Sequence, residues 1–416
     1  MKRIFFLAAA ALSVLAVSAQ KDVVKEAERA MKAGNDASKV VEIITPAFSD
    51  PTTSGWVETY YVPGMASFKQ YDSMTGLKQL GRLPEGGDVT MGGLLVDGYN
   101  YFTKALPLDS VPDEKGKVKP KRSKEMINII AGHYPDFVNC GVEVYNAHDY
   151  QKAYDLWNIF TSAPDVPAIR AKINPQFLND TTISEVAYNQ GLAAWQLNNY
   201  QNALDAFTKA RKLGYTKKAV FDNSIAVASE LKRDDLVLAI AEDAIPLYGK
   251  EDPMYISQVA NYYLTNKQLD KAFDVINKAI EMDPTNAQYY VVRGVLYENT
   301  QSDDPAAKAD AKAKAKADYE KALSIDAKNP QAKYNFGRLV TEEAFTLNDA
   351  APTRQDEFIE YFNSTVRPKY LEAAEILEAA YDLDDNNKDA LRYLEQIYYQ
   401  LNDETKLNDV KNRLKY

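Results

Sequence analysis

The chain has 416 residues, 46% of them hydrophobic and 26% charged, with 59 acidic against 49 basic residues and a formal net charge of −10. A surface of that sign repels nucleic acid and anionic lipid headgroups as a whole, so no nucleic-acid partner is expected. Cys140 is the one cysteine; it has no second thiol to pair with, so the fold must be held by packing even in an oxidising compartment.

Lys2 and Arg3 precede an apolar run from Ile4 to Val17, and Val17-Ser18-Ala19 supplies the small residues that a signal peptidase reads. The expectation is a signal peptide over 1–19 with Gln20 as the mature N-terminus. The run is short for a membrane span, which needs about 20 apolar residues, and a permanent N-terminal anchor is the alternative. Without Lys2 and Arg3 the balance becomes 47 basic against 59 acidic residues, a net of −12. No cysteine lies near the cleavage site to carry a lipid, and no later segment is long and apolar enough to span a bilayer. The mature chain is therefore expected to be exported and soluble, in the periplasm, with the cell surface or secretion as alternatives.

Residues 20–135 read as divergent helical repeats. Asp22 to Lys32 and Ala37 to Phe48 suggest one helix pair, and Trp56 to Phe68 with Met91 to Ala105 a second. Between the last two lies a loop holding Gly76, Gly81, Gly86 and Gly87. The stretch Gly86 to Gly93 lacks the Lys-Ser/Thr of a phosphate-binding loop and no strand precedes it, so it reads as a turn entering a helix. The basic run Lys115, Lys117, Lys119, Lys121, Arg122 and Lys124 contains Gly116 and Pro120. It reads as a solvated loop, with a clamp for an acidic polymer as the sharper alternative.

From 136 onward the pattern is periodic. Ala260 and Gly294 lie 34 residues apart, as do Tyr263 and Tyr297, and Ile256 and Tyr290. Ile256, Val259, Ala260 and Tyr263 form one helical face, polar residues 266–268 interrupt it, and Leu269, Ala272, Phe273, Ile276 and Ala279 form a second. Asp283-Pro284 ends that helix, because proline cannot continue a helix interior. A helix–turn–helix unit of this length cannot bury its faces alone and stacks into a solenoid.

The recurrence resembles the tetratricopeptide repeat (TPR), in which small residues sit where the two helices cross. Gly191, Ala203, Phe207 and Ala210 match that pattern, and Ala187-Tyr188-Asn189-Gln190-Gly191 resembles the consensus opening, as does Lys333-Tyr334-Asn335-Phe336-Gly337. Gly141, Tyr150, Ala153 and Trp157 mark an earlier copy, and Tyr370, Ala373, Leu377 and Ala380 a later one. The resemblance implies an all-α fold, a right-handed superhelical solenoid of antiparallel helix pairs. Seven pairs are expected over 136–416, with insertions near 301–314 and 345–368 and a terminal cap from Leu391 to Leu407. Residues 306–317, alternating Ala and Lys, read as an extension of a second helix that projects from the array.

In that family the first helices line a concave groove. The resemblance places Tyr188, Asn189, Trp195, Asn261, Tyr334, Asn335 and Arg338 on or near that surface, where rings and amides suit a peptide and equally suit sugar rings. Tyr188 and Tyr334 packing between adjacent first helices is the alternative. The two-carboxylate clamp of chaperone-tail binders is absent, since the matching positions hold Glu185, Tyr188 and Asn189 in one repeat and Met254, Ser257, Gln258 and Asn261 in another. His133 and His148 lack metal-site spacing, Cys140 reads as a packing residue, and no nucleophile–base motif occurs. No metal, cofactor or catalytic residue is expected. The function expected is a non-enzymatic protein–protein interaction scaffold of the bacterial cell envelope that takes a protein or peptide partner, with glycan or peptidoglycan binding as the alternative.

Overall fold

The computed structural model describes residues 21–112 and 116–415, and every regular element among them is helical. The expected signal peptide and Lys115 of the basic run lie outside the described residues. The chain separates into two units, one through Arg233 and one from Asp234, so the division falls inside the expected array rather than at 135.

The first unit contains α1 (21–32), α2 (Ala37–Ser49), α3 (Val57–Gln79), α4 (Gly87–Asp109), α5 (Ser123–Gly132), α6 (Tyr134–Asn146), α7 (Tyr150–Ser162), the single turn α8 (Pro167–Arg170), α9 (Asp180–Gln196), α10 (Tyr200–Lys212) and α11 (Lys218–Glu230). The second contains α12 (Asp234–Tyr248), α13 (Pro253–Thr265), α14 (Leu269–Met282), α15 (Ala287–Glu298), α16 (Pro305–Ile325), α17 (Pro330–Asp349), α18 (Gln355–Tyr361), α19 (Arg367–Leu383), α20 (Lys388–Gln400) and α21 (Glu404–Leu414). Within the units, α3 packs on α4, α6 on α7, α9 on α10, α13 on α14, α15 on α16, α17 on α19 and α20 on α21. Helices α11 and α12 fall on either side of the division.

Two local devices build these hairpins. The first is the turn. His148, Asn198, Lys232, Lys267 and Asn402 take left-handed φ values between 54° and 64°, each two residues before a second helix. In three of those turns the next residue caps the helix: Asp149, Asn199 and Asp403 accept from the backbone N–H of Lys152, Asn202 and Lys406. The second is the close crossing. A Cβ added to Gly141 would lie 2.3 Å from the Trp157 ring, one on Gly191 2.4 Å from Phe207, and one on Gly294 2.5 Å from Tyr319. Glycine in the first helix therefore lets a large ring of the second fill the junction, which is the role the sequence assigns to small residues at those places. Gly64 meets Phe102 in the same way, at 2.6 Å, so the divergent pair uses the same device.

The N-terminal third departs from expectation in length. Helix α3 runs to Gln79, so Gly76 is helical and the loop shrinks to 80–86. Gly87 to Gly93 is the start of α4. Every residue from Tyr61 to Phe68 is buried. The part beyond Phe68 buries only Tyr71 and Met74 and contains Gly76, so it reads from sequence as the start of a loop. Helix α5 was not foreseen; its start is held by Asp109, whose carboxylate accepts from the backbone N–H groups of Lys121, Arg122 and Ser123 at 3.0, 2.9 and 2.6 Å. Helix α16 spans the Ala/Lys stretch as one rod, as expected. The insertion at 345–368 extends α17 and forms α18, which a π-helical turn at Phe362–Val366 joins to α19.

Candidate partner-binding faces

Six register positions on each first helix share one face, at spacings i, i+3, i+4, i+7, i+10 and i+11. On α9 these are Glu185, Tyr188, Asn189, Leu192, Trp195 and Gln196, and all six are partly or fully exposed. On α13 the same register holds Met254, Ser257, Gln258, Asn261, Leu264 and Thr265, again all partly or fully exposed. Met254 is 41% exposed, which is high for a large apolar side chain.

The α9 face is rigid from behind. Phe207 sits over Gly191 and touches both flanking rings, Tyr188 with centroids 5.6 Å apart and Trp195 edge-on at 6.4 Å. Tyr188 also stacks on Tyr215 at 4.8 Å, and its hydroxyl accepts from Asn223 Nδ2 at 3.0 Å. Burial, with Tyr215 beside it, lifts the Tyr188 phenol above its ordinary value, so it stays a neutral hydroxyl at physiological pH. Tyr188 is thus braced by neighbours and only partly exposed. Tyr215 and Asn223 were not singled out from sequence, since nothing in their own segments marks them as braces.

The same register closes on α15 and α17. Gln288 Nε2 donates to Gln331 Oε1 at 3.2 Å across the two helices. Asn335 is 8% exposed and Thr341 is buried, its hydroxyl donating to the Gly337 carbonyl at 2.8 Å. Arg338 Nη1 donates to Glu342 at 2.9 Å and Nη2 to Glu298, whose other oxygen accepts the Tyr319 hydroxyl. Burial pulls the Arg338 guanidinium downward, but Glu298 and Glu342 more than offset it and hold it charged. Burial and the bond to Glu298 push the Tyr319 phenol well above its usual range. Asn335 and Arg338, expected as groove contacts, are therefore an inward-facing side chain and the centre of an internal ion cluster. Tyr334 keeps a half-exposed ring edge-on to Tyr393, with centroids 6.4 Å apart. Among the expected residues, then, Tyr188, Asn189 and Trp195 share the α9 face, Asn261 stands open on α13, and the α17 set is mostly engaged.

The groups with chemical potential elsewhere are structural. Cys140 is buried with its Sγ 3.7 Å from the Tyr71 hydroxyl, and burial pushes the thiol up to about 11, away from nucleophile range. His133 stacks on Phe68 and bonds Asp136 at 2.9 Å. His148 sits in its turn against the Tyr150 hydroxyl. Among the described residues no group of three or more His, Cys, Asp or Glu side chains is placed to hold a metal ion, and no helix is long and apolar enough to cross a membrane. The C-terminal end of the basic run is tied down by Asp109, and Arg122 stacks over Tyr61 at 4.3 Å.

The tetratricopeptide repeat family model matches residues 184–220 and 256–286. These stretches begin within α9 and α13. No curated protein matches the chain. Among solved structures, the chain is similar to the C-terminal part of a TPR repeat-containing protein from Cytophaga hutchinsonii, at 17% identity over 73% of this chain and 98% of that one, with a TM-score of 0.37. It is similar to a TPR repeats protein from Bacteroides fragilis NCTC 9343, at 16% identity over 64% and 98%, TM-score 0.30. It is also similar to YrrB, described as a TPR protein with an unusual peptide-binding site, at 19% identity over 47% and 88%, TM-score 0.30.

Proposed function

We propose that this chain is a non-catalytic scaffold of the bacterial cell envelope that holds protein or peptide partners against exposed first-helix faces, that of α9 in the first unit and, separately, that of α13 in the second. The observation that carries this reading is the α9 face. Tyr188 and Trp195 are half open, fixed in place by Phe207 behind them, and flanked by the amide of Asn189. Rings held rigid before binding lose little conformational entropy when a partner covers them, and amides beside them bond a peptide backbone. The α13 face adds Asn261 and the exposed Met254 thioether, a soft apolar contact that adapts to a partner's shape. The envelope location rests on Lys2-Arg3, the apolar run Ile4 to Val17 and the small residues before Gln20.

The test is affinity capture from a detergent-treated envelope fraction, with wild type compared to Trp195→Ala and Asn261→Ala. The expected result is a defined co-purifying protein, reduced at least tenfold in both variants while their helical circular dichroism is unchanged. Capture at wild-type level by both variants removes these faces from the account.

A further inference from the structure

Counted back from the left-handed turns, the first helices of the first unit repeat one residue type. Asn139 on α6, Asn189 on α9 and Asn223 on α11 stand nine residues before His148, Asn198 and Lys232 respectively. The second unit has a carboxamide at the same register on α13, where Gln258 stands nine residues before Lys267, and loses it on the terminal α20, where Tyr393 stands nine before Asn402. Packing does not require an amide at this place. Asn139 is exposed and Asn189 half-exposed, and among the described residues neither makes a hydrogen bond. Asn223 donates one N–H to the Tyr188 hydroxyl at 3.0 Å, which ties α11 to α9 along the row and leaves its own Oδ1 unbonded.

A carboxamide carries two donor hydrogens and an acceptor oxygen on one planar group. A row of them matches a ligand that presents N–H and C=O groups at the same repeat, and the spacing selects the conformation of that ligand. Helix α7 packs on α9 and α10 on α11, so α6, α9 and α11 are successive first helices of one stack. Helices in contact lie about 8–10 Å apart. A polyproline-II chain rises about 3.1 Å per residue with three residues per turn, so one turn covers about 9 Å, and its backbone groups are bonded to nothing within the chain. A β-strand covers that distance in about three residues too, but its side chains alternate between faces, so successive helices would meet opposite sides of it. The polyproline-II chain returns the same side to every helix. One helical turn beyond the amides, Val142, Leu192 and Ala226 make a parallel aliphatic row, in which Val142 is 43% exposed. That row suits apolar side chains spaced by three and offers no partner to the hydroxyls of a sugar.

We infer that the common face of α6, α9 and α11 binds a peptide segment in the polyproline-II conformation by its backbone. Each first helix takes three residues, its carboxamide bonding the peptide's main chain, and an apolar side chain at every third position rests on Val142, Leu192 or Ala226. Recognition of this kind reads conformation and spacing and tolerates most residues between the apolar ones. The inference rests on the reading of α9 as a partner face and adds the conformation of the partner and the way it is held.

The test pans a phage-displayed library of random twelve-residue peptides on the full chain and remakes the enriched peptides synthetically for fluorescence polarisation. The expected peptides carry an apolar residue at every third position and accept proline between them. Asn139→Ala with Asn189→Ala lowers their affinity at least tenfold while helical circular dichroism is unchanged. Asn189→Asp, which keeps an acceptor and loses the donor, weakens them as well, and so does N-methylation of one backbone nitrogen in each group of three. Trp195→Ala separates this inference from the partner reading. Peptides that lose binding in Trp195→Ala but bind the Asn139 and Asn189 double variant at wild-type level, or that space their apolar residues as a helix does, overturn the backbone mode and leave the partner face standing. Enrichment of no peptide also overturns it, and the partner reading then rests on capture of an envelope protein through Trp195.

Discussion

The first helices α9 and α17 present the same six register positions and use them in opposite ways. On α9 the stripe stays open, with Tyr188 and Trp195 supported from behind by Phe207 and nothing bonded across their outer edges except Tyr215 and Asn223 beside Tyr188. On α17 the stripe is a clasp: Asn335 and Thr341 are buried, Gln331 meets Gln288, and Arg338 ties Glu298 to Glu342. The crossing behind each face is built alike, with Gly191 under Phe207 and Gly337 under Leu377. Register within a repeat therefore sets which residues share a face, while the residue types at that face decide whether it seals onto its neighbours or remains free for another molecule.

The comparison breaks most sharply at Phe207. Phe207→Ala removes a fully buried ring from the Gly191 junction and is expected to lower stability by about 3–5 kcal/mol, read as the shift in urea unfolding midpoint. A loss well under 1 kcal/mol contradicts the view that the ring supports the open face. Next comes overpacking from the other side. Gly191→Val places a Cβ inside contact distance of the same ring, and about 1–3 kcal/mol should be lost. If Gly191→Val were neutral by thermal melting, the close crossing would not be the joint it is described as.

The clasp is tested by Arg338→Met, which keeps the length of the side chain and removes its charge. Glu298 is then left with the Tyr319 hydroxyl as its remaining partner. The cost should be about 1–3 kcal/mol, the range for stranding a largely buried acceptor. At the open faces, Asn261→Ala at the equivalent register and Asn189→Ala at the register of Asn335 should each shift the midpoint by no more than about 0.5 kcal/mol and act on partner capture alone. Equal effects of Arg338→Met and Asn261→Ala on stability would erase the distinction between closed and open faces.

An acid titration supplies a reference outside both faces. Burial raises the Asp109 carboxyl, but the Ser123 hydroxyl and the backbone N–H groups of Lys121, Arg122 and Ser123 outweigh it, and the net value lies below the ordinary 3.8. A depressed folded-state value means that this contribution to stability is complete above about pH 4 and fades as pH falls through the folded value. Asp109→Asn should remove that acid-dependent part of the first unit's stability, an effect of about 1 kcal/mol at neutral pH. Denaturant midpoints at pH 7 and pH 3 check it: an unchanged difference between the two pH values in Asp109→Asn counts against the tether.

Much of the fold was legible because its cause is local. Gly141 and Gly191 stand at the same spacing from the rings they admit, Trp157 and Phe207, while an insertion moves Tyr319 further from Gly294; the turns at His148 and Asn198 lie between apolar faces. The continuation of α3 from Lys69 to Gln79 was not legible, because it buries only Tyr71 and Met74 and its Gly76 reads as a loop residue. The site was legible in part. Position on the first helices follows from register, so Tyr188, Asn189, Trp195 and Asn261 could be named. Whether a named side chain is already engaged depends on residues far along the chain. Arg338 meets Glu298 forty positions earlier, and Asn223 reaches Tyr188 from the next hairpin. No local pattern announces either pairing.

The most direct test places a photo-crosslinking amino acid on each face in turn and irradiates the chain in its native envelope, with products identified by mass spectrometry. Positions 189 and 261 represent the open faces, position 338 the clasp, and position 271 on α14 a second-helix surface. The account predicts one defined partner captured from 189 and 261 and none of it from 338 or 271. Capture of that partner from 271, with 189 and 261 silent, would contradict it.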